Sequence, residues 1–382
     1  MRIAVLGNLA NVGANFVTFL RRKGIAADLI ANTAEFRSIE PNQLRQVEPF
    51  LVHSNSHIMA LARGIVAQFL PRFIARHISL LFQYDVIVAM SSYNQYAGFI
   101  RLPFIALATG SDLREECYNK EGFFYRRGFR KSKVVLSWLF DKRGLQQAEM
   151  LRLAQLKFFH FPVDCGYYCP GDDSGDGYSE HNFVVFSPTR NDWILDDTRR
   201  WKDGLKGNDK LVKGFALFLQ KVESKIKPLL ILMKTGKDAD ATKGLVNQLG
   251  IESHVVYLDR LSEQQRIRTI QSADVVADHF CAGSFGGTFV EVMACGKPLI
   301  HFLQEDNINL AYPEPPPVLN AYTPEEICGR LLQCTDKKLR VRLGKQSREW
   351  AVRYHDWELV TEQLIHNVRL VHGRPPVYDI RK

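Results

Sequence analysis

Short aliphatic, β-branched runs recur along the chain, each followed by a turn and a stretch of helical period. The first, MRIAVLGNLANVGANFVTFLRRKGIAADLIA, reads as strand, Gly/Asn-rich turn, helix and strand, with Gly24 ending the helix. That is the pattern of a βαβ unit. Buried-strand runs follow at YDVIVAMSS (84–92) and LPFIALATG (102–110), separated by helical patterns. Together they predict an open parallel sheet with helices on both faces. Over residues 159–180 the period is lost, and FHFPVDCGYYCPGDDSGDGYSE reads as a linker. A second alternating series then begins: NFVVFSPTR, a helix at DKLVKGFALFLQKV, PLLILMKTG, HVVYLDR, a helix at SEQQRIRTIQSA, DVVADHF, a helix carrying Glu291, and KPLIHFL. Thr323 and Pro324 supply an N-cap and first helical residue for the helices that follow. The predicted fold class is α/β, with two Rossmann-like, doubly wound domains at 1–164 and 180–357.

Composition narrows the class. With 382 residues, 46% hydrophobic and 24% charged, the chain suits two globular cores. Its longest apolar runs fall far short of a membrane span, and MRIAVLG reads as a first strand, not an export signal. Seven cysteines without metal-ligand spacing fit a reducing, cytoplasmic compartment. The net charge of +9 lies wholly in residues 1–164, which hold 21 Lys/Arg against 12 Asp/Glu. Such asymmetry predicts an anionic partner for the first half.

Paired Rossmann-like domains place ligands at the carboxyl ends of their strands. GxGxxG and GxxxxGK[ST] are both absent, which argues against a nicotinamide enzyme and a P-loop ATPase. The stretch DHFCAGSFGGTFVEVMACGKPLI instead follows a strand and opens a helix near Gly287. Gly283, Gly286 and Gly287 would let backbone amides approach a diphosphate at the helix N-terminus. Glu291, a turn further on, suits a neutral diol such as a ribose. Taken alone, the stretch reads equally as an ordinary βα turn with a solvated Glu. Arg190, just after the first strand of the second domain, and Lys206, just before its first helix, would add two cations at the same rim.

With these parts in order, residues 160–335 resemble the nucleotide-sugar-binding domain of family 4 (GT-B) glycosyltransferases. The matching stretches are PVDCGYYCP, SPTR…LKGNDKLVKGFALF, LLILMKTG, LGIESHVVYLDRLSEQQ, SADVVADHFCAGSFGGTFVEVMACGKPLI and EEICGRL. MRIAVLGN, YDVIVAM and PFIALATGSDLRE match the first domain more loosely. The resemblance implies a GT-B fold, with two domains facing across a cleft and a C-terminal helix at about 358–382 crossing back. It implies that Arg190 and Lys206 bind the donor diphosphate and Glu291 the ribose. Arg260, Leu261, Asp278, His279, Ser284, Phe285 and Thr288 join the three glycines as donor-binding positions. Gly7, Asn8, Gly13, Gly110 and Ser111 are assigned to the acceptor side, and Asp112 is the acid to hold or deprotonate an acceptor hydroxyl. N-capping of the helix after it is an equal reading for Asp112.

Three departures mark a divergent branch. The family's second Glu is replaced by Gly283, the Arg–Lys spacing is lengthened by an insertion bearing Trp193 and Trp201, and TGSD stands where a His is common. Asp278 and His279 are the expected replacements in reading the sugar. The implied activity is transfer of a sugar from a nucleotide diphosphate donor to a saccharide or lipid-linked envelope acceptor, with retention and with neither metal nor cofactor. A nucleotide-sugar epimerase of the same fold, or a non-catalytic homologue serving as an assembly partner, are the alternatives. RGIVAQFLPRFIARHISLLF (63–82) mixes apolar residues with arginines. The stretch from Phe123 to Arg143 holds seven cations against one anion, interleaved with aromatics, and predicts peripheral contact with an anionic membrane on its inner face. No nucleic-acid-binding module is recognisable.

Overall fold

A computed structural model describes residues 1–32, 51–54, 81, 83–118, 122–138, 141–171, 178, 180–195 and 204–373. The segment 63–82, apart from Leu81, and Trp201 lie outside the described residues. The chain divides into two compact units, Met1–Pro162 with Trp357–Lys382, and Val163–Asp356.

The first unit is built on β1 (Arg2–Leu6), β2 (Ala26–Asn32), β3 (Leu51–Ser54), β4 (Val86–Met90), β5 (Phe104–Ala108), β6 (Val134–Ser137) and β7 (Leu156–Phe158). They form one sheet in the order β3-β2-β1-β4-β5-β6-β7, and every pairing is parallel. The strands alternate between two buried cores, as period-two geometry requires. Ile3, Val5, Val86, Val88, Met90, Ile105 and Leu107 join one cluster; Ala4, Leu6, Ile87, Ala89, Phe104, Ala106 and Ala108 join the other. The first face is covered by α1 (Val12–Arg22). It is also covered by the helix Trp357–His372, which adds Val360, Leu364, Ile365 and Val368 to the cluster. Trp357 stacks on Phe19 with ring centroids 4.4 Å apart.

The stretch from Phe123 to Arg143 is not one surface segment. Its first part is the helix α2 (Gly122–Lys131), but Val134–Ser137 is the fully interior strand β6. The three Val/Leu positions and Ser137 that looked interfacial are sheet core, because both faces of a parallel sheet are covered. Helix α2 buries Tyr125, Gly128 and Phe129 and leaves Phe123 and Phe124 56% and 40% exposed. Among the described residues no helix is long and apolar enough to cross a membrane.

The second unit repeats the scheme with β8 (Phe183–Phe186), β9 (Pro228–Met233), β10 (Val255–Leu258), β11 (Val275–Ala277), β12 (Leu299–His301) and β13 (Leu319–Asn320), in the parallel order β10-β9-β8-β11-β12-β13. Helix α3 (Asn208–Lys221) packs Leu211, Val212, Phe215 and Phe218 into its core. Two capping boxes fix helix starts there, Ser262 with Gln265 at α4 (Glu263–Ser272) and Thr323 with Glu326 at the helix Pro324–Gln333. Both β8 and β11 are central, so the loops leaving their carboxyl ends meet at one rim.

Candidate functional site

At that rim lies a cavity of about 410 Å³, within the size range of small-ligand sites. It is lined by Phe186, Pro188, Thr189 and Arg190 from the end of β8, by Lys206, and by Arg260 and Leu261 after β10. Asp278 and His279 after β11, the turn residues Gly286, Gly287 and Thr288, and Arg266 complete the polar lining.

The loop after β8 is shaped by two buried side chains. Asn191 donates from Nδ2 to the Met233 carbonyl, and its backbone N–H donates to Thr235 at 2.7 Å. Asp192 accepts from the Lys237 amide at 2.9 Å, and its own backbone carbonyl accepts from the Lys206 amide. Gly236 (φ +116°) permits the close approach, since a Cβ there would sit 2.2 Å from the Asn191 carbonyl oxygen. This strap brings Arg190 and Lys206, sixteen positions apart in the chain, to one wall. Arg190 is exposed, with its Nε on the Asp192 carboxylate. Trp193 is drawn inward, donating from its indole N–H to Thr242 at 2.9 Å.

The opposite wall is the glycine turn and the helix α5 (Gly287–Ala294), which has no side-chain cap. Its first amides are therefore unsatisfied within the helix, at the end where the dipole favours anions. Gly283, Ser284 and Phe285 do not line the cavity. Gly283 adopts φ +68° beneath Gln304, and Phe285 stacks on Phe289 at 4.2 Å within a cluster that includes Tyr312 and Trp350. These three residues shape the turn from behind, while Gly286, Gly287 and Thr288 face the cavity.

Glu291 is also absent from the lining. Arg266, reaching over from α4, pairs with its carboxylate through both terminal nitrogens and donates to the Tyr168 hydroxyl at 2.9 Å. Tyr168 in turn donates to Glu263 at 2.6 Å. It is the guanidinium of Arg266, not the carboxylate of Glu291, that borders the cavity. No sequence motif singled out Arg266; a cation on the neighbouring helix one strand away was the only trace.

Four cations, Arg190, Lys206, Arg260 and Arg266, thus face one acid, Asp278. Burial pulls the Lys206 ammonium below its ordinary pKa; Asp278 opposes that pull and Arg190 adds to it. Burial alone would raise the Asp278 carboxyl, but His301, with His279 and Lys206, holds it below the usual carboxylate range. His279, buried and beside Lys206, is held well below its ordinary value and is neutral at pH 7.

The remaining candidates lie in the first unit, at the ends of β1 and β5. Gly7 (φ +95°) and Gly13 allow a strand-to-helix turn in which the Asn8 side-chain Oδ1 accepts from the Ala14 amide at 2.9 Å. Gly110 precedes the short helix Ser111–Arg114, whose Ser111 is exposed. Asp112 is 2% exposed and lies inside that helix, so it is not its N-cap; Gly110 is. Its Oδ1 accepts from the amides of Thr109, Gly110 and Leu113, and its Oδ2 from Asn94 at 3.2 Å. Burial nevertheless raises its pKa to about 6.

No protein-family model and no curated protein matches the chain. Solved structures do match, along nearly its full length. Anabaena HepE in complex with UDP and glucose aligns over 97% of this chain and 100% of its own, with TM-score 0.70 and 17% identity. Sucrose-phosphate synthase from Thermosynechococcus elongatus aligns over 98% and 100%, with TM-score 0.69 and 13% identity. The lipopolysaccharide outer core galactosyltransferase WaaB, in its apo form, aligns over 96% and 98%, with TM-score 0.58 and 16% identity. These neighbours are GT-B glycosyltransferases, and the fold of this chain is GT-B.

Proposed function

We propose that the protein is a glycosyltransferase that takes a sugar from a nucleotide diphosphate donor and passes it to a saccharide or lipid-linked acceptor. The observation that carries this reading is the second-unit cavity, where four cations and an uncapped helix start surround a space of diphosphate-sugar size. That HepE is solved with UDP, with UDP and glucose, and with UDP-glucose supports the same reading. The cations would stabilise the charge that develops as the bond from the sugar's anomeric carbon to the diphosphate breaks. The acceptor hydroxyl oxygen forms the new bond to that carbon, and its proton passes to the departing phosphate oxygen. Such a route gives retention and assigns no step to a metal.

Within it, Arg190 and Lys206 hold the diphosphate with the amides of Gly286, Gly287 and Thr288. Arg266, held in place by the Glu291 carboxylate, faces the nucleoside end, so the two act there as one unit. Asp112 orders the loop carrying Gly110 and Ser111, which would receive the acceptor. Calorimetric titration with UDP and GDP, followed by donor-hydrolysis assays, tests the reading. We expect Lys206→Met to weaken binding of the preferred diphosphate about tenfold or more, the worth of a charge-assisted hydrogen bond. Unchanged affinity in that variant would remove the diphosphate assignment.

Peripheral attachment to an anionic membrane is supported by the outer face of α2. Phe123 and Phe124 pack edge-on at 5.6 Å beside the half-exposed Phe99, over which the Arg127 guanidinium lies at 4.6 Å. Aromatic rings flanked by cations are the composition that interfacial helices use.

A further inference from the structure

One buried side chain behind the cavity is unassigned by the diphosphate chemistry. His301, at the end of β12, is 0% exposed. The parallel register places it beside Asp278, whose amide donates to Ile300 at 3.1 Å while Phe302 donates back to His279 at 2.9 Å. Its Nε2 lies 3.1 Å from the Ser284 carbonyl and its Nδ1 lies 3.4 Å from Asp278 Oδ2. A carbonyl can only accept, so Nε2 carries a proton. Two lone pairs facing each other would repel, so a proton lies between Nδ1 and Oδ2 and joins the ring to the carboxyl. Phe289, edge-on at 4.9 Å, closes the ring's remaining side.

His279, next to Asp278, has the opposite arrangement. Its Nδ1 accepts from the amides of Cys281 and Ala282, both at 3.5 Å, which leaves the proton on Nε2. Asp278 and His279 therefore bring one acceptor and one donor to the cavity, where the absent Glu at position 283 leaves the sugar end without an acid.

We propose that His301 is a positioning residue for a sugar-reading pair: held between Ser284 and Asp278, it fixes the Asp278 carboxyl as acceptor beside His279 Nε2–H as donor, and the pair selects a neutral hexose through two adjacent hydroxyls. The inference rests on the proposed donor function. A uronate would bring its carboxylate against Asp278 and be disfavoured by like-charge repulsion. The low pKa direction of the Asp278 carboxyl agrees with its pairing to His301.

The test uses the full chain, with UDP, UDP-glucose and UDP-glucuronate as probes, or the guanosine series if GDP binds instead. In the wild type, the glucose conjugate should bind more tightly than the bare diphosphate, and the glucuronate less tightly than the glucose conjugate. In Asp278→Asn and His301→Gln, the gain in affinity from glucose over the bare diphosphate should fall about tenfold. Nitrogen-15 spectra of histidine-labelled protein should show the His301 Nδ1 resonance move in Asp278→Asn. Loss of the glucose gain would not follow from a merely structural histidine, and Asp278→Asn carries the test if His301→Gln does not fold. An unmoved His301 Nδ1 resonance, or an undiminished glucose gain, in folded Asp278→Asn would overturn the inference. Failure of both UDP and GDP to bind the wild type would overturn the proposed function, and the sugar-reading pair with it.

Discussion

Gly283→Glu, which would install the acid common at this position in the glycosyltransferases the sequence resembles, should fail for a backbone reason. Gly283 sits at φ +68°, where an L side chain costs about 1–2 kcal/mol. A Cβ would also lie 2.5 Å from Gln304 Cγ. Gln304 is exposed and can swing away, but doing so gives up its hydrogen bond from Asn307 at 2.8 Å, worth about 0.5–1 kcal/mol. The sum is about 2 kcal/mol, which for a unit of this size lowers Tm by roughly 4–8 °C. Gly283→Ala isolates the two contributions without a carboxylate and should lose a similar amount. In a Gln304→Ala background the nearest side-chain atom recedes to the Cβ at 3.2 Å, and only the backbone cost should remain. Gly283→Asn, which tolerates the left-handed region, should lose least. Differential scanning calorimetry across the series reads these steps. If Gly283→Ala melts with the wild type, or if Asn and Ala lose equally, the left-handed backbone is not what excludes Glu from this position.

Arg266→Met should cost about 3–5 kcal/mol in denaturant unfolding, because the Glu291 carboxylate is left part-buried and unpaired; Arg266→Met with Glu291→Gln should recover much of it. Asp112 titrates in the native state at about 6 against an unfolded value near 4. The native state therefore binds more protons between those values, and stability falls as pH rises through that window, by on the order of 3 kcal/mol. Asp112→Asn should flatten this part of a pH series of urea midpoints. Replacing Phe123 and Phe124 together by Ser should reduce co-sedimentation with phosphatidylglycerol vesicles at low salt while leaving Tm nearly unchanged, since both rings are exposed.

The alternation of strand runs and helical periods was enough to read both sheets as parallel and to place most of their strands, because a parallel strand buried on two faces is written as a continuous apolar run. VIVAM, FIALA, PLLILM and LIH all became strands where such runs stood. The same signal misled at VVLS, whose basic and aromatic neighbours made a sheet strand look like part of a membrane-facing stretch. In the site, the strand-end positions of Arg190, Lys206, Asp278 and His279 were legible, since topology alone carries them to the rim. The pairings of Glu291 with Arg266 and of Asp278 with His301 were not, because each joins side chains more than twenty residues apart through a register no local pattern encodes. Asp112 shows a third limit: a carboxylate two residues after a glycine reads as a helix cap, yet here it reaches back to the loop amides instead.

The return of the helix Trp357–His372 to the first unit has a consequence for synthesis. Residues 163–356 form a unit whose sequence is continuous, so it can close its core as soon as it clears the ribosome. The first unit cannot. Until Val360, Leu364, Ile365 and Val368 have been made, the face of its sheet that they cover is bare apolar surface. The part translated first is therefore the part finished last, and during that interval it is the natural client of a holdase chaperone.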